Sequence, residues 1–139
     1  MMTNIGIFIA SLLLLIFIPF GSMWYDHTGF VQAMVQEDIA KYQEDVPDWV
    51  DLQNSDPAQV NRLAISAVSN INFVMSGGWQ RDESYEYRDS LHDVMAATRS
   101  SDASTLNEAL QVSARKYEEW ISANTYFVEN RLYAMRYTF

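Results

Sequence analysis

The sequence predicts an all-α protein, in which a single N-terminal transmembrane helix is followed by an antiparallel bundle of three to four helices. Three observations predict this fold class. The first 25 residues carry no charge, and the rest of the chain repeats apolar residues at the three- and four-residue steps of helix faces. No stretch alternates apolar and polar residues as a half-buried strand does. We therefore divide the chain into an anchor, residues 1–25, and an acidic helical domain, residues 26–139.

The N-terminal segment is long enough to cross a bilayer. Residues 5–20 are almost wholly aliphatic or aromatic, and about twenty helical residues span about 30 Å of hydrocarbon. Trp24 and Tyr25 follow, where amphipathic rings often lie at the membrane interface. We expect residues 5–24 to lie in lipid. A cleaved signal peptide is the alternative, but the segment lacks a basic start and a clear small-residue cleavage site.

The charges near the span only weakly indicate its orientation. The positive-inside rule counts Lys and Arg close to the span, and the nearest one is Lys41. We expect the short neutral N-terminus in the cytoplasm and the acidic domain on the periplasmic side of an inner membrane. The reverse insertion is the alternative. The chain has no cysteine, so disulfides and thiolate metal sites are excluded and the redox compartment stays open.

The first helix of the domain is expected to continue the anchor. Apolar residues step along one face by threes and fours, and Pro47 predicts the end of this helix. Residues 48–54 then form a predicted linker. The members of the face are Val31, Val35, Ile39, Tyr42 and Val46.

A second helix is predicted to start at Asp56 and Pro57, because Asp is a good N-cap and Pro suits the first helical position. Gly77 and Gly78 supply a terminator. Its apolar stripe consists of Val60, Leu63, Ala64, Ala67, Val68, Ile71, Val74 and Met75.

The third predicted helix runs from about Asp82 to Arg99. It is more charged than the second helix, so we expect it at the more solvated side of the bundle. Its predicted inner face consists of Tyr87, Leu91, Val94, Met95 and Thr98.

The fourth predicted helix follows a polar turn, residues 100–104, in which Ser101, Asp102 and Ser104 are candidate caps. From there to about Arg136 the chain has neither Gly nor Pro, which predicts one long helix. Ser113, Ala114 and Asn124 interrupt its near-heptad seam. The seam residues are Leu106, Leu110, Tyr117, Ile121, Val128, Leu132 and Met135.

The last helix is expected to return toward the bilayer, because short connections favour antiparallel neighbours. Tyr133, Tyr137 and Phe139, together with Arg131 and Arg136, would then lie near the headgroups. The alternative is that these aromatic residues complete the core of the bundle.

Few residues suggest chemistry. Glu86, Asp89 and His92 share one predicted helix face, but bundles that bind two metal ions need such a pairing twice, and this one has no second copy. We expect a solvated face, no metal or cofactor, no small-molecule substrate and no enzymatic activity. The formal charge of -9 disfavours nucleic acid, which requires clustered Lys and Arg.

Aromatic residues make up 14% of the chain, which exceeds what three short stripes can bury. Trp and Tyr often dominate protein interfaces, so Trp79, Tyr85 and Tyr87 are predicted partner contacts. The alternative for Trp79 is a place at one end of the core.

Taken together, these features predict a membrane-anchored structural or adaptor subunit of a multi-protein cell-envelope assembly, whether a secretion, conjugation or pilus-type machine or a respiratory complex. Its expected partners are the lipid bilayer and other membrane or envelope proteins. A membrane-tethered regulator, sensor or exclusion- or immunity-type protein acting through one partner is the alternative.

Overall fold

The computed structural model describes residues 2–45, 56–76 and 81–138. Within these ranges the chain forms five helices and no strand, which confirms the all-α prediction. The helices are α1 (Met2–Asp45), α2 (Pro57–Ser76), α3 (Asp82–Ala97), α4 (Ala103–Glu129) and α5 (Arg131–Ala134). Several predicted features lie outside the described residues, namely Val46, Pro47, the linker 48–54, Gly77, Gly78, Trp79 and Phe139.

α1 is a single helix that joins the apolar segment to the bundle. Its 44 residues extend for about 66 Å and continue through Pro19. Residues 5–23 are exposed, whereas Val35 and Tyr42, on the predicted inner face, are buried in the bundle. Of the helices in the described ranges, this is the one that is long and apolar enough to cross a membrane. The predicted continuity between the apolar segment and the first helix of the bundle is therefore confirmed.

Two predicted helix starts are confirmed by their caps. The Asp56 carboxylate accepts a hydrogen bond of 3.3 Å from the Ala58 N–H at the start of α2. At the start of α4, Asp102 accepts from the Ser104 N–H at 2.9 Å, which selects Asp102 from the three candidates. The bonds from the Ser104 side chain and backbone lower the pKa of Asp102. Each cap satisfies a backbone donor that has no partner within the helix.

The prediction that the third helix lies at the more solvated side is wrong. α3 packs against both α2 and α4, and Tyr87, Leu91 and Val94 are fully buried. The charged residues of α3 occupy its outer face, so its average polarity does not reveal how deeply its inner face is buried. α3 also ends at Ala97, two residues before the predicted end.

The inner face of α4 differs from the predicted seam. Ser113 and Asn124, which interrupt the predicted rhythm, are buried, while Leu132 is 76% exposed. The polar side chains are accommodated because they bond inside the bundle. Asn124 donates to the Trp120 carbonyl at 2.7 Å, and the Ser113 hydroxyl lies 3.2 Å from that of Ser90. The buried residues of α4 are Leu110, Ser113, Trp120, Asn124 and Phe127.

Aromatic residues form the centre of the core. Trp120 stacks on Tyr87 with ring centroids 5.6 Å apart and meets Tyr42 edge-on at 5.0 Å. The hydroxyls of Tyr42 and Tyr87 lie 2.7 Å apart, and the Trp120 indole donates to the Ser84 hydroxyl at 3.0 Å. Burial raises the pKa of both tyrosines. Much of the high aromatic content is therefore used within the domain.

The prediction of one uninterrupted helix to about Arg136 is also wrong. Asn130 leaves helical geometry, with φ −117° and ψ 91°, and ends α4 at Glu129. Its side-chain oxygen accepts from the Tyr133 N–H at 3.0 Å, so Asn130 acts as the N-cap of α5. Asn is a weak helix former and a strong N-cap, because its side chain can replace a backbone acceptor.

Candidate membrane-proximal site

The apolar part of α1 ends where the C-terminal segment, residues 131–138, packs against it. α4 descends antiparallel to α3, and α5 and the turn after it contact residues 25–28 of α1. The C-terminus therefore returns to the end of the apolar stretch, as the topology predicts. We call this set of contacts between residues 24–32 and 127–138 the clasp.

Arg131 is the first element of the clasp. Its Nη1 donates to the Tyr25 carbonyl at 2.9 Å, and its guanidinium carbon lies 4.6 Å from the centre of the Tyr25 ring. Such a cation over an aromatic face is attracted by the ring's quadrupole. Gly29 makes this approach possible, since a Cβ at position 29 would lie 2.8 Å from the Arg131 guanidinium carbon.

Thr28 supplies a second contact and is fully buried. Its hydroxyl donates to the Trp24 carbonyl at 2.8 Å, so its proton is committed within α1. The Thr138 hydroxyl lies 2.7 Å from it and is therefore the donor to the Thr28 oxygen. This bond joins residues that are 110 positions apart in the chain.

Gln32 connects α1 to the interrupted end of α4. Its amide Nε2 donates to the Phe127 carbonyl at 2.7 Å and to the Val128 carbonyl at 3.1 Å. The last four carbonyls of a helix lack intrahelical donors, and the break at Asn130 creates two such acceptors here. The buried Gln32 side chain satisfies both. The break in α4 and the polar residue on α1 therefore depend on each other.

A row of rings borders the clasp. The centroids of Tyr126 and Tyr133 are 4.7 Å apart, and those of Tyr133 and Tyr137 are 5.1 Å apart. Arg81, the N-cap residue of α3, lies 5.5 Å from the Tyr133 ring and 5.7 Å from the Tyr137 ring. The Arg81 guanidinium also pairs with Glu83 at 3.1 Å. The N-terminus of α3 and the C-terminal segment are thereby held together.

An open groove of about 830 Å³ leads away from these rings between α3 and α4. Tyr126, Tyr133 and Arg81 lie at one end, and acidic residues line much of its length. Lys116 crosses between the helices, with its ammonium 2.6 Å from Glu86 and 2.8 Å from Glu119. Bonds to these two carboxylates raise the pKa of Lys116.

The predicted membrane-interface residues lie together at this end of the bundle. Tyr25 and Tyr137 are about half exposed, at 47% and 51%, and Trp24 and Tyr133 are partly buried. Phe139 lies outside the described residues. Tyr133 packs against the core, as the alternative of core completion predicts, whereas Tyr137 is exposed at the surface and its contact with lipid stays a prediction.

The predicted partner contacts differ in their exposure to solvent. Tyr85 is 37% exposed and has Arg88 5.2 Å from its ring. Tyr87 is fully buried in the aromatic core, so the prediction that it contacts a partner is wrong. Its spacing on α3 directs the ring inward, whereas the neighbouring Tyr85 falls on the outer face. Trp79 is not among the described residues.

The residues that the sequence offers for metal chemistry, Glu86, Asp89 and His92, do not converge. Two of them form ion pairs and the third faces solvent. Glu86 bonds Lys116, and Asp89 pairs with Arg88 at 3.0 Å. His92 is exposed. In the part of the chain that the structure describes, no three His, Asp or Glu side chains converge as a metal site would require.

Sequence reasoning missed three clasp residues, Thr28, Gln32 and Asn130. A signal for two of them exists, because positions 28 and 32 extend the stripe of Val35, Ile39 and Tyr42 backward by the same steps of four and three. Their polarity hid them from a search for apolar faces. The partners of Gln32 could not be found in this way, because they arise only where α4 breaks.

No family model, curated protein or solved structure matches this chain. No family is assigned.

Proposed function

We propose that this chain is a single-pass, membrane-anchored structural or adaptor subunit of a multi-protein assembly in the cell envelope. The observation that carries the proposal is the continuous helical connection between the apolar segment and the bundle. α1 passes from one to the other without a break, and the clasp fixes its exit through Arg131, Thr138 and Gln32.

A continuous helix held by the clasp, in place of a flexible linker, favours a structural role over a tethered binding module. A module that searches for a single partner gains reach from a flexible linker. A subunit that spaces or orients neighbouring proteins gains from a fixed geometry. Its domain is already oriented when it folds, so it loses less conformational entropy when the complex assembles. The hydrogen bonds of the clasp, of which the one from Gln32 to the Phe127 carbonyl is buried, support that fixed geometry.

The groove between α3 and α4 is the proposed surface for a neighbouring protein. It is open, and Tyr126 and Tyr133 line one end. Tyrosine rings bury large area at low entropic cost, and the acidic walls favour a partner that carries Lys or Arg. This assignment replaces Tyr87 by Tyr126, while the exposed Tyr85 stays a separate predicted partner contact.

We further propose an inner-membrane location with the bundle in the periplasm. The chain has no cysteine, so the orientation can be measured with the variant Ser101→Cys, which would carry a single thiol. A membrane-impermeant maleimide should label this exposed turn in intact cells whose outer membrane has been permeabilised. Labelling only after cell lysis would reverse the orientation.

The main experiment is native electrophoresis of mildly solubilised membranes, combined with a photo-crosslinking residue at Tyr126. A structural subunit should form adducts with more than one membrane protein, and deletion of the chain should dismantle the complex. A crosslinker at the membrane-distal Ser101 is the matched control. A single stoichiometric partner and an intact assembly after deletion would instead identify the tethered regulator.

A further inference from the structure

We propose that the C-terminal segment, residues 131–138, is a second membrane contact that rests on the bilayer surface beside the span. This inference rests on the proposed membrane anchor. The occupant of the surface is the lipid interface itself, the zone of headgroups and the first acyl carbons. The bundle would then meet the bilayer at two places, the emerging helix and this segment.

The depth of the segment follows from its contacts with α1. Arg131 bonds the Tyr25 carbonyl and Thr138 bonds Thr28, and these two α1 residues are separated by about 4.5 Å of helix rise. The interfacial zone is about 5–8 Å deep on each side of the hydrocarbon core. If the apolar stretch spans the bilayer and ends near Trp24, the segment lies within that zone.

The exposure of the segment fits this depth. Leu132 is 76% exposed, more than any other large hydrophobic side chain among the described residues, including those of the apolar stretch. Tyr137 adds an exposed ring with a polar hydroxyl. An exposed leucine flanked by tyrosine and arginine is the composition of interfacial segments, in which apolar atoms enter lipid and polar atoms stay hydrated.

The opposite end of the bundle provides an internal contrast. α4 starts there, 27 helical residues or about 40 Å from Glu129. The turn before α4, residues 98–102, consists of Thr, Arg, two Ser and Asp and exposes no large hydrophobic side chain. Exposed Leu and Tyr are thus found at the end that faces the membrane and not in the corresponding distal turn.

The test uses the complete chain in phospholipid vesicles. Because the chain has no cysteine, single variants Leu132→Cys, Ser101→Cys and Leu15→Cys can each carry one environment-sensitive fluorophore. Lipids with a quencher at a shallow or a deep acyl position report the depth of each. We expect Leu132→Cys to emit at shorter wavelength than Ser101→Cys and to be quenched several-fold more strongly by the shallow lipid.

The control positions separate the two ways in which the inference can fail. If Leu15→Cys is quenched by the deep lipid while both Leu132→Cys and Tyr137→Cys behave like Ser101→Cys, the anchor is correct and the second contact is wrong. If Leu15→Cys is not quenched, the anchor is wrong and the inference falls with it. Tyr137→Cys repeats the measurement at a second exposed position. The proposal is overturned if the shallow lipid quenches the fluorophore neither at position 132 nor at position 137.

Discussion

At the scale of single residues, Gln32 decides how the helix that leaves the apolar stretch is joined to the bundle. A buried donor that bonds two carbonyls is expensive to remove, because both acceptors are left without a partner. The side-chain amide also has a direction. Its NH2 group donates, whereas the oxygen that Glu would place there can only accept when ionised. Two substitutions of similar shape therefore test it.

Gln32→Met should lower the free energy of unfolding by about 1–3 kcal/mol, because Met fills the volume and donates nothing. Gln32→Glu should cost more at neutral pH, since a carboxylate would face the Phe127 and Val128 carbonyls. That repulsion raises the pKa of the new carboxyl above its unfolded value of about 4.3. The protonated carboxylic acid can donate a hydrogen bond. The loss in free energy of unfolding should therefore be smallest below pH about 4.3 and should grow as the pH rises above it. Thermal unfolding in detergent at several pH values measures this. Equal deficits at all pH values would show that the side chain does not face the carbonyls.

Tyr87 provides a second residue-scale test, at alkaline pH. Burial raises its pKa and that of Tyr42, with which it shares a hydrogen bond. Below a pH of about 10 both states of the protein keep the phenols neutral. Above it only the unfolded chain ionises, so stability should fall. Tyr87→Phe should reduce this fall by about 1.4 kcal/mol per pH unit. Urea unfolding at neutral and alkaline pH reports the slope, and Tyr42→Phe should act in the same direction. An unchanged slope in both variants would contradict the buried pair.

At the scale of helices, the break between α4 and α5 sets the path of the C-terminus. Asn130→Ala removes the cap of α5 and places a strong helix former at the junction. We expect a loss of about 1 kcal/mol for the cap. We also expect α4 to extend, which would carry Thr138 away from Thr28.

A disulfide can report this change, because the Thr28 and Thr138 hydroxyls lie 2.7 Å apart and the chain has no native cysteine. Thr28→Cys with Thr138→Cys should oxidise readily in the parent chain and poorly when Asn130→Ala is added. The two single-cysteine variants are the controls. Equal oxidation with and without Asn130→Ala would mean that the cap does not direct the C-terminal segment.

At the scale of the whole molecule, the fixed relation between span and bundle should matter for assembly. One Ala inserted after Gly21 would turn the bundle by about 100° relative to the lower part of α1 and raise it by about 1.5 Å. If the chain is a rigid subunit, its complex should be lost on native electrophoresis while the bundle keeps its melting temperature. The same insertion between Ser100 and Ser101, in the distal turn, should be tolerated. A complex that survives both insertions would favour the tethered regulator.

The sequence by itself determined the local features of this protein. The uncharged apolar run, the caps at Asp56 and Asp102, and the stripe from Val60 to Met75 are read from residues within one or two helical turns of each other, and the structure confirms them. These features depend on backbone donors and on the 3.6-residue period, which act within a few residues.

Only the tertiary structure decided the features that depend on distant partners. Ser113 and Asn124 are polar, yet they face the core because hydrogen bonds within the bundle accommodate them. α4 breaks at Asn130, and Gln32, almost a hundred residues earlier, satisfies the carbonyls left by the break. A single-residue pattern cannot show such pairs, because each polar group is costly to bury alone and acceptable only beside its partner.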